Sequence, residues 1–164
     1  MGKMTGKSKT HIKGLYTFDV FIVNGPMTER FAKKNKVISR TIQIRGNQTL
    51  DDLHEAIFDA FNREDEHLYE FQIGGSGPMD QGARRYDHPE ALGDLFSDES
   101  AGDASRAKID TLGLKVGDIF GYWFDFGDDW WHRINVISIE DKVPPGEFPR
   151  IIKRVGESPP QYGG

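Results

Sequence analysis

The sequence predicts a two-layer α+β domain in which one main helix, at residues 49–62, packs on a mostly antiparallel or mixed sheet. Two observations lead to this prediction. One segment has clear helical periodicity, and several short segments are rich in aromatic and β-branched residues. The elements follow a ββαβ order, then a long loop and a C-terminal β-hairpin. A chain of 164 residues is long enough to bury one substantial core.

Three strands are predicted in the first half of the chain, at residues 15–23, 36–45 and 67–73. The first is dominated by aromatic and β-branched residues, which fit a pleated surface. The other two alternate between apolar and polar residues, which is typical of strands with one buried face. The second strand is also unusually basic.

The main helix is predicted from its first turn and from its apolar stripe. Thr49 is a favourable N-cap, and Asp52 follows three residues later, in the position of a capping box. Apolar side chains share one stripe of the helix, and acidic side chains share the other side. The apolar residues are Leu50, Leu53, Ile57, Ala60 and Phe61. With the three strands, this helix gives the element order of a β-grasp unit.

The second half of the chain is predicted to hold a long loop and a hairpin. Residues 76–106 are expected to form an acidic surface loop, either mobile or functional, with a turn of helix near residues 89–95. The hairpin strands are predicted at residues 119–126 and 131–140, and a last short strand at 148–155. The predicted organisation is a basic disordered tail at 1–13, one α+β domain at 14–156 and a Pro/Gly tail at 157–164.

Composition limits the classes of protein that the chain can be. It has no cysteine, which excludes disulfides and thiolate metal sites. No apolar stretch approaches the ~20 residues of a membrane helix, and the basic N-terminus lacks the apolar core of a secretory signal. We therefore expect a cytoplasmic protein without a membrane partner. Residues 1–13 carry four lysines and no acid, so the rest of the chain has 17 basic and 26 acidic residues and is expected to be a poor general binder of phosphate backbones.

The hairpin turn contains the densest group of chemically active residues. If Asp128 and Asp129 form a two-residue loop, Asp125 lies directly opposite His132, where its carboxylate could orient the imidazole. A turn shifted by one residue instead places Asp125 opposite Trp130. The alternative is a structural turn, in which the acidic side chains bind backbone and the aromatic residues fill the core.

His54 is the second candidate, because the helical angle places it inside the apolar stripe. It is either a hydrogen-bonded structural histidine or a ligand or general base between helix and sheet. A composite site of His54, Asp125, Asp128 and His132 would suit Zn²⁺, Mn²⁺ or Fe²⁺ and a metal-dependent hydrolase or nuclease. No P-loop, dinucleotide fingerprint or nucleophile elbow is present, so no cofactor is predicted and a divalent metal is left open.

A binding surface is the interpretation that the sequence favours over an enzyme, because the turn motif lacks a complete catalytic set. The partner is a protein or a nucleic acid, and the surface would be aromatic and acidic. The predicted partner-binding residues are Trp123, Trp130, Trp131 and Asp129. A nucleic-acid-binding accessory role is the third hypothesis, with Arg40, Arg45 and Lys36 as candidate contacts and Tyr16, Phe18, Phe21 and Phe31 as candidate stacking residues.

Three segments also carry a resemblance to a known family. The most specific is Phe124-Asp125-Phe126-Gly127-Asp128-Asp129-Trp130-Trp131-His132, and the others are residues 49–71 and the ending 156–164. They resemble the plasmid pRiA4b ORF-3-like family, whose signature is Tyr-Asp-Phe-Gly-Asp-x-Trp-x-His. Phe124 replaces the tyrosine, and the ending lacks the family's acidic pair. The resemblance implies a mobile-element setting beside transposases and a resolvase-like label, without an established activity.

Overall fold

The computed structural model describes residues 14–92 and 101–162. The predicted basic tail at 1–13 and part of the predicted acidic loop, residues 93–100, lie outside the described residues. The strands are β1 (Leu15–Asn24), β2 (Ser39–Arg45), β3 (Tyr69–Ile73), β4 (Arg84–Asp87), β5 (Gly102–Asp103), β6 (Ile119–Phe124), β7 (Trp130–Glu140) and β8 (Arg150–Val155). The helices are α1 (Glu29–Lys34) and α2 (Leu50–Ala60), and 3₁₀ turns lie at Pro89–Ala91 and Ile109–Thr111. None of these helices is long and apolar enough to cross a membrane.

The strands form one eight-stranded sheet in the order β5-β4-β3-β6-β7-β1-β2-β8. All pairs are antiparallel except β4 with β5. This mixed sheet with one main helix confirms the predicted α+β class. The predicted ββαβ start is present in β1, β2, α2 and β3, and in the sheet β6 and β7 lie between β3 and β1.

The main helix begins as the sequence predicts. The Thr49 hydroxyl accepts a hydrogen bond from the Asp52 N–H, and the Asp52 carboxylate accepts one from the Thr49 N–H. This capping box satisfies two of the free N–H groups at the start of α2. The helix ends just before Asn62, whose φ of 54° cannot continue it. Leu53 and Ile57 are fully buried against the sheet, and each contributes about 1.5–3 kcal/mol of burial free energy.

Some predicted elements differ from the structure. The short helix α1 was not predicted; the Thr28 hydroxyl caps it by accepting from the Phe31 N–H. The predicted acidic loop contains β4 and β5, so it extends the sheet rather than leaving it. β4 forms because it pairs with residues 70–73 of β3, and the local sequence of β4 does not indicate that this partner strand is present.

The two faces of the sheet differ in what covers them. On one face α2 packs on alternate strand residues such as Phe18, Ile42 and Ile134, which are fully buried. On the opposite face Pro78 covers β6 at Gly121, where an added Cβ atom would lie 2.6 Å from the Pro78 Cα. Apart from buried residues such as Leu15, Thr17 and Ser39, the remainder of this face between β7 and β8 carries half-exposed or exposed side chains. We call it the open face, and its main residues are Phe21, Trp123, Trp131, Arg133, Arg150 and Lys153.

Candidate functional site

The hairpin register differs from both predicted alternatives. Tyr122 pairs with His132, and Phe124 pairs with Trp130, so residues 125–129 form a longer turn. Asp125 and Asp129 adopt left-handed conformations, with φ of 66° and 60°. Asp125 therefore lies opposite neither His132 nor Trp130. Sequence patterning missed this turn because left-handed aspartates are uncommon.

Asp125 closes the turn and does not orient an imidazole of the hairpin. Its Oδ1 accepts hydrogen bonds from the N–H groups of Gly127 at 3.1 Å and Asp128 at 3.2 Å. Its Oδ2 lies 3.4 Å from the Nε2 of His67, which the sequence did not single out. Asp128 is exposed at the tip of the turn. Asp125 thus has the structural role that turn chemistry allows, while the Asp128 side chain lies exposed.

His132 is fully buried and held as a neutral imidazole. The Nη2 of Arg63 lies 2.9 Å from its Nε2, and its Nδ1 lies 3.1 Å from the backbone oxygen of Tyr122. Since arginine only donates, Nε2 must accept, and Nδ1–H must donate to the carbonyl. Both nitrogens are thus occupied, and a guanidinium faces Nε2. The composite metal site with Asp125, Asp128 and His132 is therefore not assembled.

The neutral state of His132 predicts a loss of stability on mild acidification. Burial, and then the charge of Arg63, hold the pKa of His132 well below its ordinary value. Below about pH 6.5 the unfolded chain binds a proton at this residue that the folded chain does not, so the free energy of unfolding falls as pH falls. From pH 7 to 5.5 we expect a loss of about 1 kcal/mol that is absent in His132→Gln. Urea titrations at the two pH values measure this, and equal losses in both proteins would contradict it.

The predicted partner and nucleic-acid residues separate into buried and accessible groups. Trp130 is fully buried, and its indole N–H donates to the backbone oxygen of Gln161 at 3.2 Å, so the prediction that it contacts a partner is wrong. Arg40 is 2% exposed, and its guanidinium binds three backbone carbonyls and Ser158, so it cannot contact phosphate. Trp123, Trp131, Asp129, Arg45 and Lys36 remain at least partly accessible.

A cleft beside α2 brings His54 together with residues that are distant in sequence. It has a volume of about 510 Å³. Its lining consists of Asp51, His54, Glu55, Glu66, His67, Leu68, His88 and Glu90. Three histidines and four carboxylates therefore converge on one open concavity, as is usual for sites that bind cations.

His54 forms the floor of the cleft, at 1% exposure. Its Nε2 lies 2.9 Å from Glu66 Oε1, and its Nδ1 lies 2.6 Å from the hydroxyl of Tyr122. The imidazole stacks on Tyr69 with a centroid distance of 4.1 Å and an interplanar angle of 15°. The predicted position inside the apolar stripe is confirmed. The packing fixes the ring so that Nε2 faces the carboxylates and Nδ1 faces the core.

The carboxylates of the cleft are crowded. The hydrogen bond from His54 lowers the pKa of Glu66, which keeps it ionised. Partial burial raises the pKa of Glu55, and the negative charges of Glu66, Asp51 and Asp59 add to the rise against the opposing effect of His54. A cation bound in the cleft would stabilise the ionised form of Glu55 among these negative charges.

Three donor atoms have spacing suitable for one metal ion. One ligand atom each of His54, Glu55 and Glu66 lie within 4.8 Å of one another. Two ligands of a tetrahedral Zn²⁺ at about 2.1 Å lie roughly 3.4 Å apart, so the hydrogen-bonded pair of His54 Nε2 and Glu66 Oε1, now 2.9 Å apart, would separate by about 0.5 Å to hold one ion. His88 belongs to the cleft wall, since its Nδ1 accepts from the Glu90 N–H and caps the 3₁₀ turn.

A C-terminal strap, residues 157–162, holds the loop that carries Glu66. Gln161 Oε1 accepts from the N–H groups of Glu64 and Asp65, and its Nε2 donates to the Asp65 backbone oxygen at 2.7 Å. The Tyr162 hydroxyl donates to the Asp65 carboxylate at 2.8 Å. These contacts fix the backbone on the N-terminal side of Glu66 and so help to set its approach to His54.

Sequence reasoning missed most of the residues around His54. In the sequence Glu66 lies in a charged run after the helix, Glu55 among the acidic residues of the helix, and Tyr122 within a predicted strand, and none of these positions carries a local signal of a site. Only His54 carried a local signal, because a polar residue in an apolar stripe needs a partner. The partners come from β6 and from the loop before β3, and no spacing rule connects these segments.

Comparisons with known proteins place the chain in context. A family model described as plasmid pRiA4b ORF-3-like protein matches residues 30–164. No functionally curated protein matches the chain. Among solved structures, the chain is similar to a protein of unknown function from Methanosarcina mazei Go1, with a TM-score of 0.67 and 22% sequence identity. The similarity covers 91% of this chain and 73% of that protein, and at this identity it supports the fold alone.

Proposed function

The chain belongs to the plasmid pRiA4b ORF-3-like family, and on the geometry of the His54 cleft we propose that it is a metal-dependent hydrolase. The ion would be held by His54, Glu55 and Glu66. The observation that carries the proposal is that ligand atoms of His54, Glu55 and Glu66 lie within 4.8 Å of one another in an open cleft. This site replaces the one that sequence reasoning placed at Asp125, Asp128 and His132.

The donor set resembles a catalytic rather than a structural site. Structural zinc sites use four protein ligands, whereas catalytic sites use three and leave a position for water or substrate. Here one imidazole and two carboxylates open onto a cleft of about 510 Å³. Nitrogen and oxygen ligands suit Zn²⁺, Mn²⁺ or Fe²⁺. A bound ion of this kind lowers the pKa of water and polarises an ester or phosphoryl oxygen.

Tyr122 would orient the His54 imidazole through a hydrogen bond to Nδ1, on the core side of the ring. With Nε2 of His54 holding an ion, the neutral imidazole would carry its single proton on Nδ1 and donate it to the Tyr122 oxygen, 2.6 Å away. Burial raises the pKa of Tyr122 well above its ordinary value, so the phenol stays neutral. His67 and His88 line the same cleft and would face the substrate.

Metal binding is the first test of this proposal. With protein stripped by chelator, saturating Zn²⁺ or Mn²⁺ is expected to raise Tm, because a ligand at 100 times its Kd adds about 2.7 kcal/mol to the free energy of unfolding. For a domain of this size that is roughly 5–10 °C. His54→Ala and Glu66→Gln should abolish the rise, whereas Glu64→Gln, an exposed acid of the same loop, should keep it. An equal rise in Glu66→Gln, or no rise with either ion, contradicts the site.

Turnover is the second test, since binding alone does not establish hydrolysis. The metal-loaded protein would be assayed on chromogenic carboxylic and phosphate esters. Activity that requires the ion and falls at least 100-fold in Glu55→Gln and Glu66→Gln supports the assignment. Tight metal binding without cleavage of any ester in this panel would support the metal site but contradict the assignment as a hydrolase.

A further inference from the structure

The open face of the sheet carries three aromatic positions flanked by cations, and we propose that it binds single-stranded nucleic acid. This inference is independent of the His54 cleft, which lies at α2 on the other side of the sheet. It relocates the nucleic-acid contacts predicted from sequence, because Arg40 is buried in the core while other cations lie on this face.

The first aromatic position is a stack of three rings at the hairpin end. Trp123 and Trp131 are parallel, with centroids 4.9 Å apart and an angle of 3°, and Phe126 lies 4.2 Å from Trp123. The Trp123 indole N–H donates to Asp129 at 2.8 Å, which fixes the ring and occupies that carboxylate. Trp131 and Phe126 are half-exposed at the two ends of the stack. A rigid, partly exposed stack of this kind can be extended by an unpaired base.

The other two aromatic positions each include an arginine. The Arg133 guanidinium lies 4.6 Å over the ring of Phe21, next to Trp131 along the same face of β7. At the far end, Arg45 and Arg150 lie 5.1 Å and 4.5 Å from the Phe148 ring. Guanidinium groups stacked on aromatic rings remain able to bind phosphate, and they also stack on bases.

Charge on the open face favours an anionic partner, although the whole chain is acidic. The strands contribute the cations Arg45, Arg133, Arg150 and Lys153 to this face. The accessible carboxylates at strand positions of this face are Asp19 and Glu140, and Asp19 accepts a hydrogen bond from the Thr41 hydroxyl at 2.6 Å. Glu70 and Asp87 lie on the same face of the sheet, but both are buried. Accessible cations therefore outnumber accessible carboxylates on the strands of this face, although the net charge of the chain is -5.

The geometry favours a single strand over a duplex. The rings lie on a sheet surface without a helix or ribbon that could enter a groove, and stacking needs unpaired bases. From Trp131 on β7 to Arg150 on β8 the face spans three strand spacings and about seven residues along the strands, roughly 25 Å. Single-strand sites on sheet surfaces cover about 4–16 nucleotides, which fits this length.

The test uses the full chain and a fluorescein-labelled dT12 oligonucleotide, with EDTA present so that the His54 cleft plays no part. We expect saturable anisotropy changes, quenching of tryptophan fluorescence, and affinity that falls with salt. Trp131→Ala should weaken binding about tenfold or more. Lys153→Ala should reduce the slope of log K against log salt by about 0.7. Lys33 is an exposed cation on α1, and Lys33→Ala should change neither the affinity nor the salt slope.

Several outcomes would overturn the proposal. They are no binding at 100 μM protein in low salt, equal affinity in Trp131→Ala and Lys33→Ala, or preference for duplex of the same length. If Trp131→Ala fails to fold, the double variant Arg133→Gln with Lys153→Ala replaces it and must weaken binding by the same criterion. Self-association that Trp131→Ala abolishes, without oligonucleotide binding, would assign the open face to a protein partner instead.

Discussion

Replacing Trp130 by alanine is expected to lower the free energy of unfolding by about 3–5 kcal/mol. Trp130 is fully buried, packs in the core behind Gly25, and donates its indole N–H to Gln161. The substitution removes the largest fully buried side chain and leaves the strap without one of its anchors. Against a total stability of about 5–15 kcal/mol, this loss should be visible in any urea titration.

Trp131 supplies the matched control for this prediction. It is the next residue in the chain, but it lies half-exposed on the open face. Trp131→Ala should therefore cost about 1 kcal/mol or less. Comparable losses in the two variants would mean that the alternation of β7 between core and open face is wrong.

Replacing Arg63 by alanine is the second change with a large expected effect, again about 3–5 kcal/mol. The guanidinium lies within 4.8–5.3 Å of the rings of Phe61, Phe124 and Trp130 and donates to His132 Nε2. Burial lowers the pKa of Arg63 to about 10, so it stays charged at neutral pH. Alanine would leave a cavity among the rings and a buried acceptor without its donor.

Two further variants separate the cavity from the lost hydrogen bond. Arg63→Met fills most of the space and should cost less than half as much as Arg63→Ala. Combining Arg63→Met with His132→Phe removes both polar partners and should restore stability, because an apolar pair of similar volume often matches a buried polar one. Arg106→Ala, whose side chain is 87% exposed, serves as the control and should change stability by less than 0.5 kcal/mol. If the double variant is less stable than either single one, the polar pair stabilises the core.

Local sequence patterns were sufficient to predict the helices and strands whose signals lie within their own residues. The capping box of Thr49 and Asp52 and the apolar stripe of α2 predicted the main helix to within two residues. The strands β1, β6, β7 and β8 were likewise predicted from composition and alternation. β4 was not, because its four residues become a strand only by pairing with β3.

The candidate site could not be derived in the same way. The hairpin motif drew attention to Asp125 and His132, yet two left-handed aspartates changed the register, and His132 turned into the core beside Arg63. The cleft instead depends on contacts between residues far apart in sequence, such as His54 with Tyr122 at a separation of 68. Such pairs are set by tertiary packing, which single-sequence patterns do not record.

The strap has a consequence for the timing of synthesis. Gln161 and Tyr162 hold Asp65 and its neighbours across 96 or 97 positions of chain. At about 5–20 residues per second, a ribosome finishes residues 62–68 roughly 5–20 s before it reaches the strap. The nascent N-terminal half therefore lacks the contacts that fix the loop of Glu66. The support that the strap gives to the loop of Glu66 is therefore completed only after Gln161 and Tyr162 have been made.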